Sequence, residues 1–143
     1  MTIAQGATNT FKLGMPTGVF DFNTDTFKIA LYTGAADIGY GTDAYTTSGE
    51  VVATGYTAGG ETLTVSQTPT IGTQSGNATV YLSFSNVTWT AAMTVRGALI
   101  YKADGVSNPT VCVLDFGSDK TSTTTFTVQF PAATSTAAII RIS

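Results

Sequence analysis

The chain predicts an all-β domain, and three features carry the prediction. Apolar side chains alternate with polar ones at a period of two in several short stretches, as in Thr26-Phe27-Lys28-Ile29-Ala30-Leu31-Tyr32. Gly or Thr-Thr punctuation interrupts these stretches roughly every 8–15 residues, the spacing of short strands joined by turns. Threonine makes up about a fifth of the 143 residues, and its β-branched side chain favours a pleated, half-exposed backbone. No window carries a 3.6-residue apolar period, so parallel strands with helical crossovers are excluded and antiparallel pairing is expected. The architecture expected is an antiparallel β-sandwich or jelly-roll-like barrel of about eight short strands with one core.

Residues 1–24 stand apart from the rest. Gly14, Pro16 and Gly18 interrupt Phe11, Leu13, Met15, Val19, Phe20 and Phe22, a pattern that reads as an irregular N-terminal arm or loop, or as a segment folded back as an edge strand. Residues 25–143 form the β domain. Its first strand, residues 26–32, places Phe27, Ile29 and Leu31 on one face. Val51–Thr54 and Thr62–Ser66 flank Gly55-Tyr56-Thr57-Ala58-Gly59-Gly60 and read as a hairpin. Thr79–Phe84 aligns Val80, Leu82 and Phe84, and Val87 and Trp89 follow the Ser85-Asn86 break. Arg96–Tyr101 and Val111–Phe116 are apolar on both faces, as central strands are, with a turn over 103–109 between them. Thr124–Phe130 alternates with Phe126, Val128 and Phe130 inward, and Ala137–Ile142 closes the domain.

Charge is scarce. Lys and Arg number six, Asp and Glu nine, 10% of the chain against about 25% in an ordinary soluble domain. On the roughly 7,000 Å² of surface expected for a folded chain of this size, that is about one charge per 470 Å². Either hydroxyls carry this surface or partners cover it. A net charge of −3 gives no grip on phosphate backbones or anionic membranes, so neither nucleic acid nor membrane is an expected partner. No run approaches the ~18 apolar residues of a membrane-spanning helix, and Met1–Gly6 lacks the basic and apolar regions of a signal peptide.

The residues needed for catalysis are few. There is no His, one Cys and nine scattered carboxylates, which removes the usual general bases and transition-metal ligands; no enzymatic activity, cofactor or metal is expected. Cys112, inside Val111-Cys112-Val113-Leu114, reads as an inert buried thiol. Asp37, Asp43, Glu50 and Glu61 lie in Gly- and Thr-rich stretches that read as exposed turns. Asp21-Phe22-Asn23-Thr24-Asp25 and Asp115-Phe116-Gly117-Ser118-Asp119 echo one another and read as two Asx turns, a paired acidic metal site being the other reading. Asp104-Gly105-Val106-Ser107-Asn108 offers oxygens at short spacing without the remaining ligands of a calcium loop. Recognition is therefore the function to look for. An apolar arm that a small core does not absorb is a docking element, which singles out Phe11, Leu13, Met15, Val19 and Phe20. Among the aromatics, Trp89 reads as core, and Tyr40 and Tyr45, flanking Gly41-Thr42-Asp43, read as the exposed pair suited to a protein or a glycan.

Thr24-Asp25-Thr26-Phe27-Lys28-Ile29-Ala30-Leu31-Tyr32-Thr33 resembles a group of small virion structural proteins of tailed bacteriophages, of the head decoration or capsid cement type. Ala44–Val51, Gly55–Leu63, Val87-Thr88-Trp89, Arg96–Tyr101, Val113–Lys120, Phe130–Ala133 and Ala138–Ile142 agree with the same resemblance in the same order. It spans most of the chain from about Phe20 onward and is weakest before it, at Met15-Pro16-Thr17-Gly18. The resemblance implies a β-rich protein made in the bacterial cytoplasm that binds the outside of an assembled head. Its implied partners are the major capsid protein and itself, as a homotrimer. A tail, baseplate or fibre component, and a host-glycan adhesion module, are the alternatives.

Overall fold

The computed structural model describes residues 2–143 and is all-β but for one short helix. Five strands form the larger sheet in the order β1 (Gly6–Ala7), β8 (Thr110–Ser122), β7 (Met93–Lys102), β2 (Phe27–Tyr32), β3 (Glu61–Thr62). Three form a second sheet in the order β10 (Ile140–Ile142), β5 (Asn77–Phe84), β4 (Val65–Gln74), and β6 (Val87–Trp89) pairs with β9 (Phe126–Val128) as a separate ribbon. Every ladder is antiparallel; an isolated parallel bridge joins Ile3 to Ile38. The layers pack as an open sandwich, and no sheet closes into a barrel.

The core lies between the layers. Phe27, Ile29 and Leu31 of β2 and Ala98 and Ile100 of β7 meet Leu82 and Phe84 of β5, Trp89 of β6, Phe126 and Val128 of β9 and Ile140 of β10. The opposite face of the five-stranded sheet is covered as well. Ala30, Tyr32, Leu99, Tyr101 and Val113 pack there against Ala36 and Ile38, which lie in the loop leaving β2. A sheet buried on both faces needs apolar residues at successive positions, which is why β7 and β8 read as continuous apolar runs.

The N-terminal segment lies against this body. Gly6 and Ala7 pair with Val113 and Cys112 at the edge of β8. A six-residue helix, α1 (Asn9–Gly14), follows. The Thr8 side chain caps it by accepting from the Phe11 N–H at 3.1 Å, and six residues are too few to leave a readable 3.6 period. Phe11 and Phe22 are buried. Phe22 stacks on Phe27 at 4.4 Å, and Phe20 packs edge-on against Phe11 at 5.3 Å.

One strand expectation needs correction, and one strand was not expected. Val51–Thr54 and Thr62–Ser66 do not form a hairpin with each other. The Val51 N–H donates to the Leu31 carbonyl, the Leu63 N–H to that of Phe27, and Glu61–Thr62 pairs with β2, so both segments attach to the free edge of β2. The strand without a sequence expectation is β4, ten residues over Val65–Gln74, whose Pro69, Gly72 and sparse apolar residues leave no alternation to read. Pro69 is tolerated because β4 is an edge strand with two bulges, between Val65 and Gln67 and between Gln67 and Thr70. Ser75 and Gly76, both at positive φ, make the two-residue turn into β5.

Candidate functional site

Charge is distributed unevenly over this framework. No charged residue occurs between Glu61 and Arg96, or between Lys120 and Arg141. Those stretches are β4, β5, β6, β9 and their connections, so the second sheet and the ribbon carry one charged side chain, Arg141 on β10. All other Asp, Glu, Lys and Arg side chains belong to the five-stranded sheet, its loops or α1. The exposed positions of the charge-poor half are mostly Thr, Ser, Gln and Asn, with Ile71 76% exposed. Depletion of charged residues is one of the features that distinguish the centre of a protein interface from ordinary surface.

An apolar row crosses this half. Ile142, Val80 and Ile71 are direct cross-strand partners on β10, β5 and β4. They share the sheet face that carries Leu82, Phe84 and Ile140 into the core. Leu82 and Ile140 are buried, while Ile142 is 38% and Ile71 76% exposed, so the core-facing surface of the sheet runs on past the body that covers it. At its Ile142 end the row enters a groove of about 440 Å³. One wall is β1, α1 and the start of β8; the other is the segment 139–143. Phe11, Met15, Cys112, Leu114 and Ile140 supply its apolar lining, and Lys12 and Arg141 are its only charged side chains.

The predicted site residues divide accordingly. Met15 and Phe11 line the groove, but Phe11 is held in the core and presents little free surface. Leu13 and Val19 are exposed, and Phe20 is half-buried against Phe11 and Phe27. Tyr40 is 67% exposed and borders a second, smaller cavity of about 320 Å³ with Thr2, Ala4 and Asp37. Tyr45 is not the exposed partner expected for it: its ring stacks on Tyr101 at 4.8 Å and its hydroxyl donates to Glu50 Oε2 at 2.6 Å. Trp89 is buried against Tyr56 and Phe126 with its indole N–H unpartnered, so it offers no face to a sugar.

Glu50 is the second departure. Instead of sitting in an exposed turn it is buried, and it accepts from the Tyr45 hydroxyl, from the Tyr56 hydroxyl at 2.7 Å and from the Gly59 N–H at 2.8 Å. Tyr56 also accepts from the Leu31 N–H at 2.8 Å, and Tyr101 donates to the Gly59 carbonyl at 2.7 Å. The carboxylate thus ties the loop together beside β2, joining Tyr45, which packs with Tyr101 on the outer sheet face, to Tyr56, which packs in the core between the layers. Only a partner list in three dimensions reveals this, since Thr-Ser-Gly-Glu is ordinary turn chemistry locally.

Burial raises the phenol pKa values of Tyr32, Tyr45 and Tyr56, with the Glu50 charge adding to the effect, and pushes Tyr101 up to about 12. A phenol whose folded value lies above its unfolded value of 10.0 holds its proton more tightly in the native state. Its contribution to stability is therefore complete below pH 10 and is lost as pH rises through the folded values. The expected result is that these four tyrosines ionise in one cooperative step together with unfolding. Simultaneous recording of phenolate absorbance and near-ultraviolet circular dichroism checks it, and their ionisation in a still-folded chain would contradict it.

The remaining polar motifs are structural. Asp21 Oδ1 accepts from the Asn23 N–H and Asp115 Oδ1 from that of Gly117, two matching Asx turns. Asp25 pairs with Lys102 at 3.1 Å and Asp115 with Arg96 at 3.5 Å. Asp104 accepts from the N–H groups of Asn108, Val106 and Ser107, and these bonds hold its carboxyl below the ordinary range. Among the described residues no three His, Cys, Asp or Glu side chains cluster to hold a metal, and no helix is long and apolar enough to cross a membrane. Cys112 is buried, which pushes its thiol up to about 12, so it carries almost no reactive thiolate near neutrality.

Fold and surface together describe an all-β sandwich in which one half carries a single charged residue, Arg141. Comparison with protein-family models, with curated proteins and with solved structures finds no match.

Proposed function

We propose that this chain is a capsid decoration protein of a tailed bacteriophage, which binds the outer surface of the assembled head and clamps neighbouring coat subunits. The observation that carries the reading is the charge-poor half: β4, β5, β6 and β9 hold no charged residue, and such a surface suits lasting coverage by protein. The family-like segments from Thr24 to Ile142 support it from the sequence side. In this reading the partners are the major capsid protein and further copies of the chain, as a homotrimer, and the site of action is the virion surface.

The mechanism is linkage. A ligand that binds the assembled shell and not its precursors shifts the equilibrium toward the assembled state by RT ln(1 + [L]/Kd), about 2.7 kcal/mol at a hundredfold excess over Kd. No catalytic group is needed for this. The test is to add the purified chain to shells assembled from the parent phage's coat protein and to sediment them. Saturable co-sedimentation with mature shells, together with a raised temperature of shell disruption, is the expected result; failure to co-sediment would overturn the proposal.

A further inference from the structure

We propose that the groove between β1 and β10 receives an extended polypeptide segment as an added strand, its apolar side chains turned into the groove and carboxylates at its ends set against Lys12 and Arg141. The inference deepens the decoration reading by naming the chemistry of the partner segment, and it rests on that reading only in taking the partner to be a protein.

Backbone geometry comes first. β1 ends the five-stranded sheet and β10 ends the three-stranded sheet, so the groove lies between two strand edges, each paired on one side only. An open edge presents N–H and C=O groups at the spacing of another backbone, which an extended chain satisfies and a small apolar molecule does not. The side chains agree with this. Met15, Leu114 and Ile140 line the groove, and Ile142 continues it to Val80 and Ile71, an apolar track along which alternate residues of an added strand can lie.

Charge then selects among occupants. The chain has nine acidic side chains and six basic ones, yet the two charged residues along the groove, Lys12 on one wall and Arg141 on the other, are both basic. Neither forms an ion pair among the described residues, the two ion pairs being Arg96 with Asp115 and Lys102 with Asp25. Arg141 donates to the Thr136 carbonyl at 2.6 Å and otherwise faces solvent. A second copy offers two further edges: β4, which has no carboxylate to bring, and the two-residue β3, which brings a single one, Glu61, for the two cations. The matching occupant is an apolar extended segment flanked by Asp or Glu.

The experiment uses the full chain, isotopically labelled, titrated with the capped peptide acetyl-Asp-Thr-Val-Thr-Val-Thr-Asp-amide and followed by amide chemical shifts. The expected result is saturable shifts confined to Gly6–Ala7 and Ile139–Ile142. The same peptide with Lys in place of Asp should bind about tenfold more weakly, and R141E, at an exposed position, should narrow or reverse that preference. Absence of saturable shifts, equal binding of the two peptides, or shifts confined to β4 would overturn the proposal. Concentration-dependent shifts of the same amides without peptide would assign the groove to a second copy and overturn it equally. Peptide binding by a chain that ignores shells would remove the decoration reading and leave the groove standing; shell binding without peptide binding would do the reverse.

Discussion

Replacing Glu50 by Ala is expected to lower stability by about 3–5 kcal/mol, the cost of leaving buried hydrogen-bond donors without their charged acceptor. Two tyrosine hydroxyls and the Gly59 N–H converge on that carboxylate. Tyr56 is buried, and Gly59 lies beneath the Tyr101 hydroxyl, so water does not readily replace the lost oxygens. In a domain of this size the change corresponds to a fall in Tm on the order of 10 °C. Glu50→Gln keeps one acceptor oxygen and should cost about half as much, because its amide N–H groups meet hydroxyls that must reorient. Tyr45→Phe, at the half-exposed end of the network, should cost ~1 kcal/mol. Chemical denaturation of the three variants checks the order; a Glu50→Ala protein as stable as the parent would show that the carboxylate does not hold the loop.

Gly60→Ala is expected to be at least as severe. Gly60 turns the chain into β3 with φ +79, and a Cβ there would collide with the carbonyl of Ile29 on β2. The obstacle is the backbone of β2, a strand paired with β7 and β3, which cannot yield without breaking the β2 ladder. A loss of ~3 kcal/mol or more is expected, with insoluble protein a plausible form of it. Gly76→Ala supplies the control. It has almost the same φ, +80, with open space around its Cβ, so it carries the left-handed strain alone, ~1–2 kcal/mol. If the two variants are equally stable, the close approach of Gly60 to β2 is not a constraint on the fold.

These two positions also mark where sequence reasoning works and where it stops. Alternation identified β2, and unbroken apolar runs identified β7 and β8 as central strands, because both patterns report how many faces of a segment are buried. Such patterns do not report what does the burying. Glu50 and Tyr45 sit in turn-like sequence, and only the folding of the loop over 33–60 beside β2 makes them interior. The same limit hid β4: an edge strand with one solvated face, a proline and two bulges has little local signature, and its role emerges from the partner it pairs with. For the candidate site, Met15 stands out in the sequence as an apolar residue beyond the strands, whereas Phe11, read with it, is taken up by the core. The opposite wall, β10, was visible only as a closing strand, since a groove between two sheet edges is a property of topology.

The scarcity of charge was legible from composition, but its placement was not. Fifteen charged side chains could have been spread evenly; instead the strands β4, β5, β6 and β9 have none, and Lys12 and Arg141 flank the groove at the border of that half. The proposed covered surface is accordingly that of the second sheet and ribbon. Substitutions there that introduce charge without touching the core, such as Ile71→Asp, belong to the surface that a partner would cover.

Counting this chain against the major coat protein in purified parent particles, by quantitative mass spectrometry, tests the decoration reading most directly. The account predicts a ratio near one or a fixed simple fraction of the coat count, as a protein covering every equivalent position on the shell requires. A few copies per particle would place the chain in the tail or another unique structure, and its absence from particles would contradict the account.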